Sequence, residues 1–378
     1  DVPNRKWSDE LLSAFEIDKN WLGKVYESCE VTGTLTKCMA DELGLCEGTI
    51  VVGGAGDNAA AAVGTGVVED GKAFTTIGTS GVVFAHTSSI YIDKQGRVHT
   101  CCAAVPNTWH VMGVTQGAGL SLKWFRDNFC MTEKETAKLM GVDEYYLMDK
   151  QAEQVPVGAN RLLYLPYLMG ERTPHLDPDA RGVFFGLSAI HTRRDMLRAV
   201  MEGVTYSLRD CVEVFREMNV NVSDMMACGG GGSSPLWRSM LADLYNCNVK
   251  TVASKEGPAL GVGILASVGA GIYSSVPEAC AAIIKADKVQ QPNAENVPEY
   301  EKYYRLAYSY VHNEADALDI VQEAAYKAIL KSDSLKEPQY VETWVYRIVV
   351  NEACSFLRSR KESADVAVSY THLTLPTI

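Results

Sequence analysis

In the stretch GGAGDNAAAA, residues 53–62, a single carboxylate stands between a glycine-rich turn and a run of alanines. Two chemistries suit an acid in that place. Asp is a favoured N-cap and the alanines after Asn58 are strong helix formers, so Asp57 fits the start of a helix following a buried strand at 49–52. The same carboxylate, held at a tight turn, fits a general base that takes a proton from a bound hydroxyl. Three glycine-rich turns elsewhere could supply the ligand's other contacts: Gly78-Thr79-Ser80-Gly81, Gly229 to Gly232, and Gly257 ahead of PALG. Glycine there lets backbone N–H groups approach a phosphate closely, and helix N-termini add a favourable dipole. Hairpin turns also use glycine for conformational reasons, so one such turn says little; three at spaced strand ends point to a nucleotide. The G-x-x-x-x-G-K-[ST] pattern is absent, which argues against the P-loop class.

The elements that must position these residues are legible in outline. Residues 1–48 read as short helices joined by turns, and 72–86 as a β-hairpin around Gly78–Gly81. RVHTCCAAV and WHVMGV form a second β pair broken at Pro106-Asn107, and QGAGLSLKWFRDNF begins a helix. In 195–218, Leu197, Val200, Met201, Val204, Leu208, Cys211 and Phe215 fall at helical spacing. A strand (SDMMACGG), a helix (SPLWRSMLADLYN), a strand (NVKTVA) and a glycine-rich helix after Pro258 follow. Strands alternating with helices predict a layered α/β domain.

The chain has 378 residues, enough for two or three domains, and 47% hydrophobic residues with 31 glycines fits a globular α/β protein. A net charge of -12 argues against a dedicated nucleic-acid binder. The eleven cysteines contain no Cys-x-x-Cys pair, which suggests reduced thiols packed as small hydrophobes and no zinc site. No stretch approaches the apolar length of a membrane span.

The segment YLPYLMGERTPHLDPDARGVFFGLSAIHTRRDMLRAVMEG, 164–203, resembles the signature region of the FGGY family of carbohydrate kinases. Gly182, Phe184, Gly186, Leu187, Asp195, Met196, Ala199 and Glu202 fall at the spacing of that signature. The resemblance runs from about Trp7 to about Tyr304, and YLPYLMGERTPH, with His175, is most similar to the family's xylulokinase branch. It implies an actin-like, ribonuclease-H-like α/β kinase domain at 67–290, preceded at 1–66 by the closing segment of the family's N-terminal domain. Asp57 is then similar to the general base, with Asp57 and Asn58 meeting the sugar. Gly78, Thr79 and Ser80 resemble the loop that meets ATP phosphates. Gly230, Gly231 and Ser233 resemble the adenosine-side loop, and Glu256 and Gly257 its other wall.

The implied cofactors are ATP and Mg2+, the ion bridging phosphate oxygens rather than sitting in a side-chain metal site. A pentulose, D-xylulose by the branch, is the implied acceptor; the implied location is cytoplasmic, and a homodimer is compatible with it. Glu171 and Arg172 are expected to form an ion pair or a backbone tie fixing their loop, and Trp237 to be helix core. The family's first phosphate loop, of the Asp-x-Gly-Thr kind, occurs nowhere in the chain, and DVPNRKWSDE lacks an initiator Met. A fragment with little activity of its own is therefore expected.

A different resemblance covers 306–361. DALDIVQEA and ETWVYRIVVNEACSFLRSRK are similar to region 2 of RNA polymerase sigma factors of the extracytoplasmic-function type. This implies a small all-α helical segment in which Asp319, Gln322 and Glu323 dock on core polymerase. Arg347, Asn351, Arg358 and Arg360 would meet promoter DNA, their types suiting phosphates and bases. The plainer alternative is an amphipathic hairpin with a solvated basic face. Residues 291–305 are expected to form a linker and 362–378 an unstructured or artefactual tail. The two resemblances meet near 303–310, which leads to the expectation of a chimera.

Overall fold

The computed structural model describes residues 1–254 and 257–298, with Ile320, Ala324, Lys327, Ile348, Val349 and Glu352 beyond them. The chain divides into two units, Asp1–Asn293 and Ala294–Ile378. Residues 1–66 and 67–290 thus share one unit. In the second, the six residues from Ile320 to Glu352 are helical; Ile320, Ala324 and Val349 are buried, and Lys327 pairs with Glu352.

The first unit opens with α1 (Asp9–Ala14), a 3-10 turn at Lys19–Trp21, β1 (Val31–Thr34), α2 (Lys37–Leu43) and β2 (Ile50–Val52). β1 and β2 pair antiparallel in a sheet of their own. Two expectations are corrected here. Residues 1–48 hold a strand as well as helices; Val-Thr-Gly-Thr is too short and too glycine-broken to signal one. The strand before Asp57 is not buried, since Ile50 and Val51 are 37% and 41% exposed.

After α3 (Asp57–Thr65), the strands β3 (Gly71–Ile77), β4 (Gly81–Thr87), β5 (His99–Cys102) and β6 (Trp109–Thr115) pair antiparallel. The helices α4 (Ala118–Phe129), α5 (Met131–Met140) and α6 (Glu144–Ala152) follow, then the short antiparallel pair β7 (Leu163–Leu165) and β8 (Val183–Phe185). The long helix α7 (Arg193–Glu217) crosses over to β9 (Val222–Cys228), which returns parallel to β3. Past α8 (Gly229–Gly232) and α9 (Pro235–Tyr245), β10 (Asn248–Val252) returns parallel to β9. α10 (Gly257–Gly269), α11 (Val276–Ile283) and the antiparallel edge strand β11 (Ala286–Gln290) follow.

The resulting sheet has the order β11-β10-β9-β3-β4-β6-β5. Antiparallel strands whose first member, β3, is continued on its other side by the parallel strands β9 and β10 are the expected ribonuclease-H-like arrangement. Helices cover both faces. Val83 and Ala85 of β4 join the α7 residues Leu197, Val204 and Leu208 in one core, whereas Phe74 and Phe84 point to the other face and meet Ala62 of α3. Every α7 residue singled out by its spacing is buried. Its start is fixed by a capping box between Thr192 and Asp195. No helix among the described residues is long and apolar enough to cross a membrane.

Two histidines sit directly opposite each other on β4 and β6. His86 and His110 are register partners, both buried, and His110 stacks on Phe84 at 4.2 Å between ring centroids. The Nδ1 of His110 has no hydrogen-bond partner among the described residues. Burial lowers the pKa of both, that of His110 to about 4, with the charge of His86 adding to the effect. An imidazole kept neutral in the fold but basic near 6.5 when unfolded binds more protons in the unfolded state. Its contribution is therefore complete above pH 6.5 and is lost as the pH falls towards 4, by about 3 kcal/mol for His110. Urea unfolding at pH 7 and pH 4.5 should show a smaller pH-dependent loss in His110→Leu than in the wild type.

Candidate nucleotide and sugar site

Ligands of open α/β sheets bind beyond the carboxyl ends of the strands, because that is where the loops and helix starts gather. β3 and β9 are parallel neighbours with Thr76 opposite Cys228, so the first two glycine turns emerge side by side from one edge. The hairpin turn closes with the Gly78 N–H donating to the Ser80 carbonyl (3.1 Å). The start of α4 holds it from the side: the N–H of Gly119 donates to Gly78 O (2.7 Å) and that of Leu120 to Thr79 O (3.1 Å). A Cβ on Gly119 would lie 2.3 Å from Gly78 O, so only glycine permits this contact. Gly78, Thr79 and Ser80 are left exposed at the tip.

The second turn packs on the first strand. A Cβ on Gly229 would fall 2.9 Å from Ile77 O, and one on Gly231 2.5 Å from the Ile77 side chain. Those glycines are explained by packing. Gly230 is not: it is exposed, lacks a positive φ, and a Cβ there would meet nothing within 4 Å. Gly78 is similar, its nearest such contact being Ser80 O at 3.6 Å. At these two positions the fold itself tolerates a side chain, and what glycine leaves open is room for a group approaching from outside. With the exposed hydroxyls of Thr79, Ser80 and Ser233 alongside, the donor set fits a phosphate-bearing ligand.

Asp57 is the first residue of α3 but not its cap. Gly56 takes the extended N-cap conformation, and no side chain caps the helix. The expectation of capping by Asp57 is therefore displaced by one residue. Its carboxylate Oδ1 accepts from the Asn58 N–H (2.8 Å) and more loosely from Asn58 Nδ2 (3.3 Å), which orients an exposed acid without burying it. The far end of α3 (Thr65) and residues 66–69 share a cavity of about 230 Å³ with Lys72, Asp224 and Lys250, on the amino side of the strands. Ala61, one turn after Asp57, joins the cluster containing Val82 and Cys228, beside the two turns. The helix thus starts at the edge where Gly78 and Gly229 emerge.

Gly257 is not brought to those two turns. It starts α10, whose backbone lies directly on α3: a Cβ on Gly64 would fall 1.8 Å from Gly257 O, and one on Gly261 1.9 Å from Ala60 O. Glu256 lies outside the described residues, as do Asp319, Gln322, Glu323, Arg347, Asn351, Arg358 and Arg360.

Glu171 and Arg172 do not pair with each other through their side chains. The buried Glu171 carboxylate accepts from the hydroxyls of Thr115 and Ser207 and from the N–H groups of Gln116 (2.9 Å) and Arg172 (2.7 Å). Of the two expected ties, the backbone one is present. It fixes residues 115–116 immediately before Gly117–Gly119, the segment that holds the hairpin turn. Sequence reading passed over Gly117 and Gly119. The alternation of glycine with small residues in QGAG was their available signal. The signature residues are structural in the same way: Asp195 accepts from Asn160 Nδ2 (2.7 Å), and Glu202 accepts from Gly158 N–H (3.1 Å) and pairs with Arg198 (2.6 Å). Trp237 is core, as expected.

Comparison with known proteins places the chain in a family. Residues 73–270 match the C-terminal domain of the FGGY family of carbohydrate kinases, and 1–64 match its N-terminal domain. Residues 299–363 match Sigma-70 region 2. The xylulose kinase of Bacillus subtilis (strain 168) is 36% identical over 305 residues, which cover 81% of this chain but 59% of that protein. A crystal structure of a xylulose kinase from Brucella ovis superposes with a TM-score of 0.72 at 30% identity, covering 82% of this chain and 62% of that one. A gluconate kinase from Lactobacillus acidophilus gives 0.74 at 25% identity, over 84% and 62%. The chain thus spans about three fifths of the length of the relatives it matches. The chain belongs to the FGGY family of carbohydrate kinases.

Proposed function

We propose that this chain is the nucleotide-bearing part of an ATP-dependent sugar kinase acting in the cytoplasm, with a pentulose, D-xylulose, as acceptor. The observation that carries the reading is the pairing of the two glycine turns at neighbouring strand ends, with Gly230 and Gly78 unconstrained by the fold. The xylulose kinases among the relatives support the choice of sugar. In the proposed reaction Asp57 takes the proton from a sugar hydroxyl as that oxygen bonds to the γ-phosphorus of ATP. The bond from the γ-phosphorus to the bridging oxygen breaks and ADP leaves. Asn58 steers the Asp57 carboxylate, and the backbone at 78–80 and 229–233 meets phosphates and nucleoside. A magnesium ion arriving with the nucleotide neutralises charge on the phosphate oxygens.

Gly230→Ala tests the reading, because the fold leaves its methyl group free. It should keep the wild-type melting temperature but weaken MgATP binding about tenfold, the size of one lost charge-assisted hydrogen bond. Calorimetric titration measures this; unchanged affinity would refute the assignment of the second turn.

A second reading concerns residues 299–363 alone and rests on their match to Sigma-70 region 2. In it, this segment binds bacterial core RNA polymerase through Asp319, Gln322 and Glu323, and promoter DNA through Arg347, Asn351, Arg358 and Arg360. Capture of core polymerase by the full chain should be lost when Asp319 and Glu323 are both changed to Ala. Undiminished capture would end that assignment.

A further inference from the structure

The second glycine turn is held from beneath by a residue that the nucleotide reading does not use. Arg238, in the first turn of α9, is 6% exposed, and its Nη1 donates to the carbonyls of both Gly232 (2.8 Å) and Ser233 (2.9 Å). It makes no ion pair among the described residues; Asp149 and Asp287 act on it through space, and burial holds its pKa below the usual guanidinium value. A buried cation without a bonded carboxylate is costly, so its place is set by the carbonyls it satisfies. Its surroundings are rigid. Trp237 is buried, donates from Nε1 to Thr205 Oγ1 (2.9 Å), and forms the wall against which Gly231 packs. Ser234 caps α9 by accepting from the Trp237 N–H (3.0 Å). Two carbonyls at the end of the turn are thus drawn inward, while Gly229, Gly230 and Ser233 remain exposed.

We propose that Arg238 is the positioning residue of the second glycine turn: by fixing the Gly232 and Ser233 carbonyls it presets the exposed backbone of Gly229 and Gly230 for a nucleotide. The nucleotide part rests on the function proposed above; the hold on the turn does not. The test compares Arg238→Met, which keeps the packed stem, and Arg238→Lys, which keeps a donor, with the wild-type full chain. Amide hydrogen exchange and MgATP titration are the two readouts. In Arg238→Met, exchange at 229–234 should rise about tenfold while α7 and β3 keep wild-type rates, and the MgATP Kd should rise about tenfold. Arg238→Lys should fall between the two, since an ammonium can serve one carbonyl but lacks the planar fork.

Unchanged exchange at 229–234, or exchange that rises equally throughout the unit, overturns the proposal. A loosened turn with unchanged MgATP affinity overturns its link to the nucleotide. A wild-type chain that binds no MgATP refutes the proposed function alone, and the exchange at 229–234 then still decides whether Arg238 sets the turn.

Discussion

Asp57→Asn, in a form of the enzyme carrying a complete FGGY N-terminal domain, should lose about 100- to 10,000-fold in kcat, the range supplied by a positioned general base. MgATP affinity should change little. The expectation follows from the placement of the carboxylate: it is exposed, sits at the first position of α3, and is oriented by Asn58 rather than consumed in a cap. Asn keeps the size and the polarity but cannot accept a proton. The helix should survive, because Gly56 takes the cap and no side-chain hydrogen bond to the helix start is lost. Steady-state kinetics with D-xylulose as the varied substrate measure the effect. Full activity in the Asn variant would show that another group takes the proton.

The chain by itself should phosphorylate pentulose negligibly, and supplying the remainder of an FGGY N-terminal domain should raise turnover by orders of magnitude. Phosphoryl transfer depends on positioning and on donors aimed at developing charge. In the proposed reading those donors belong to one wall, the turns at 78–81 and 229–232. Holding an acceptor in line with the γ-phosphate is worth ~7–11 kcal/mol in favourable systems, and it requires groups on both sides of the acceptor. The N-terminal family match ends at residue 64, and the relatives are longer. The exposed apolar side chains of residues 1–52 belong to the same account. Leu11, Phe15, Trp21 and Leu43 are each more than half exposed, and among the described residues β1–β2 forms a sheet of two strands. In the proposed reading that surface seats the added segment, so supplying it should raise the melting temperature as well as the rate. A coupled assay of ADP release checks the rate; substantial turnover by the unextended chain would contradict this expectation.

How much could be read from sequence alone depended on how local the determinant was. The β3–β4 hairpin and α7 were legible because their signals, a Gly-Thr-Ser-Gly turn between β-rich runs and an apolar repeat at 3.6 spacing, are carried by contiguous residues. β1 was missed because its partner β2 lies sixteen residues further on and supplies what Val-Thr-Gly-Thr lacks. The cap moved from Asp57 to Gly56 because two residues with suitable preferences were adjacent, and only backbone geometry separates them. Of the site, the glycine turns were visible as punctuation, but their reasons were not. Gly231 is small because Ile77 is beneath it, whereas Gly230 is small with nothing beneath it. Gly257 reads like a third turn yet belongs to the contact between α10 and α3, where a carbonyl from one helix occupies the place of the other's Cβ. Gly119, Glu171 and Arg238 act across 41, 56 and six positions of sequence respectively, and sequence spacing does not show which groups they reach.

The most direct test of the central claim is hydrogen exchange of the full chain with and without saturating MgATP. Protection should appear at 78–81, 117–120 and 229–233 together, because these segments form one edge, and β1–β2 and the sheet's amino side should be unaffected. Protection confined to other segments, or none at saturation, would contradict the claim that the two glycine turns are the nucleotide site.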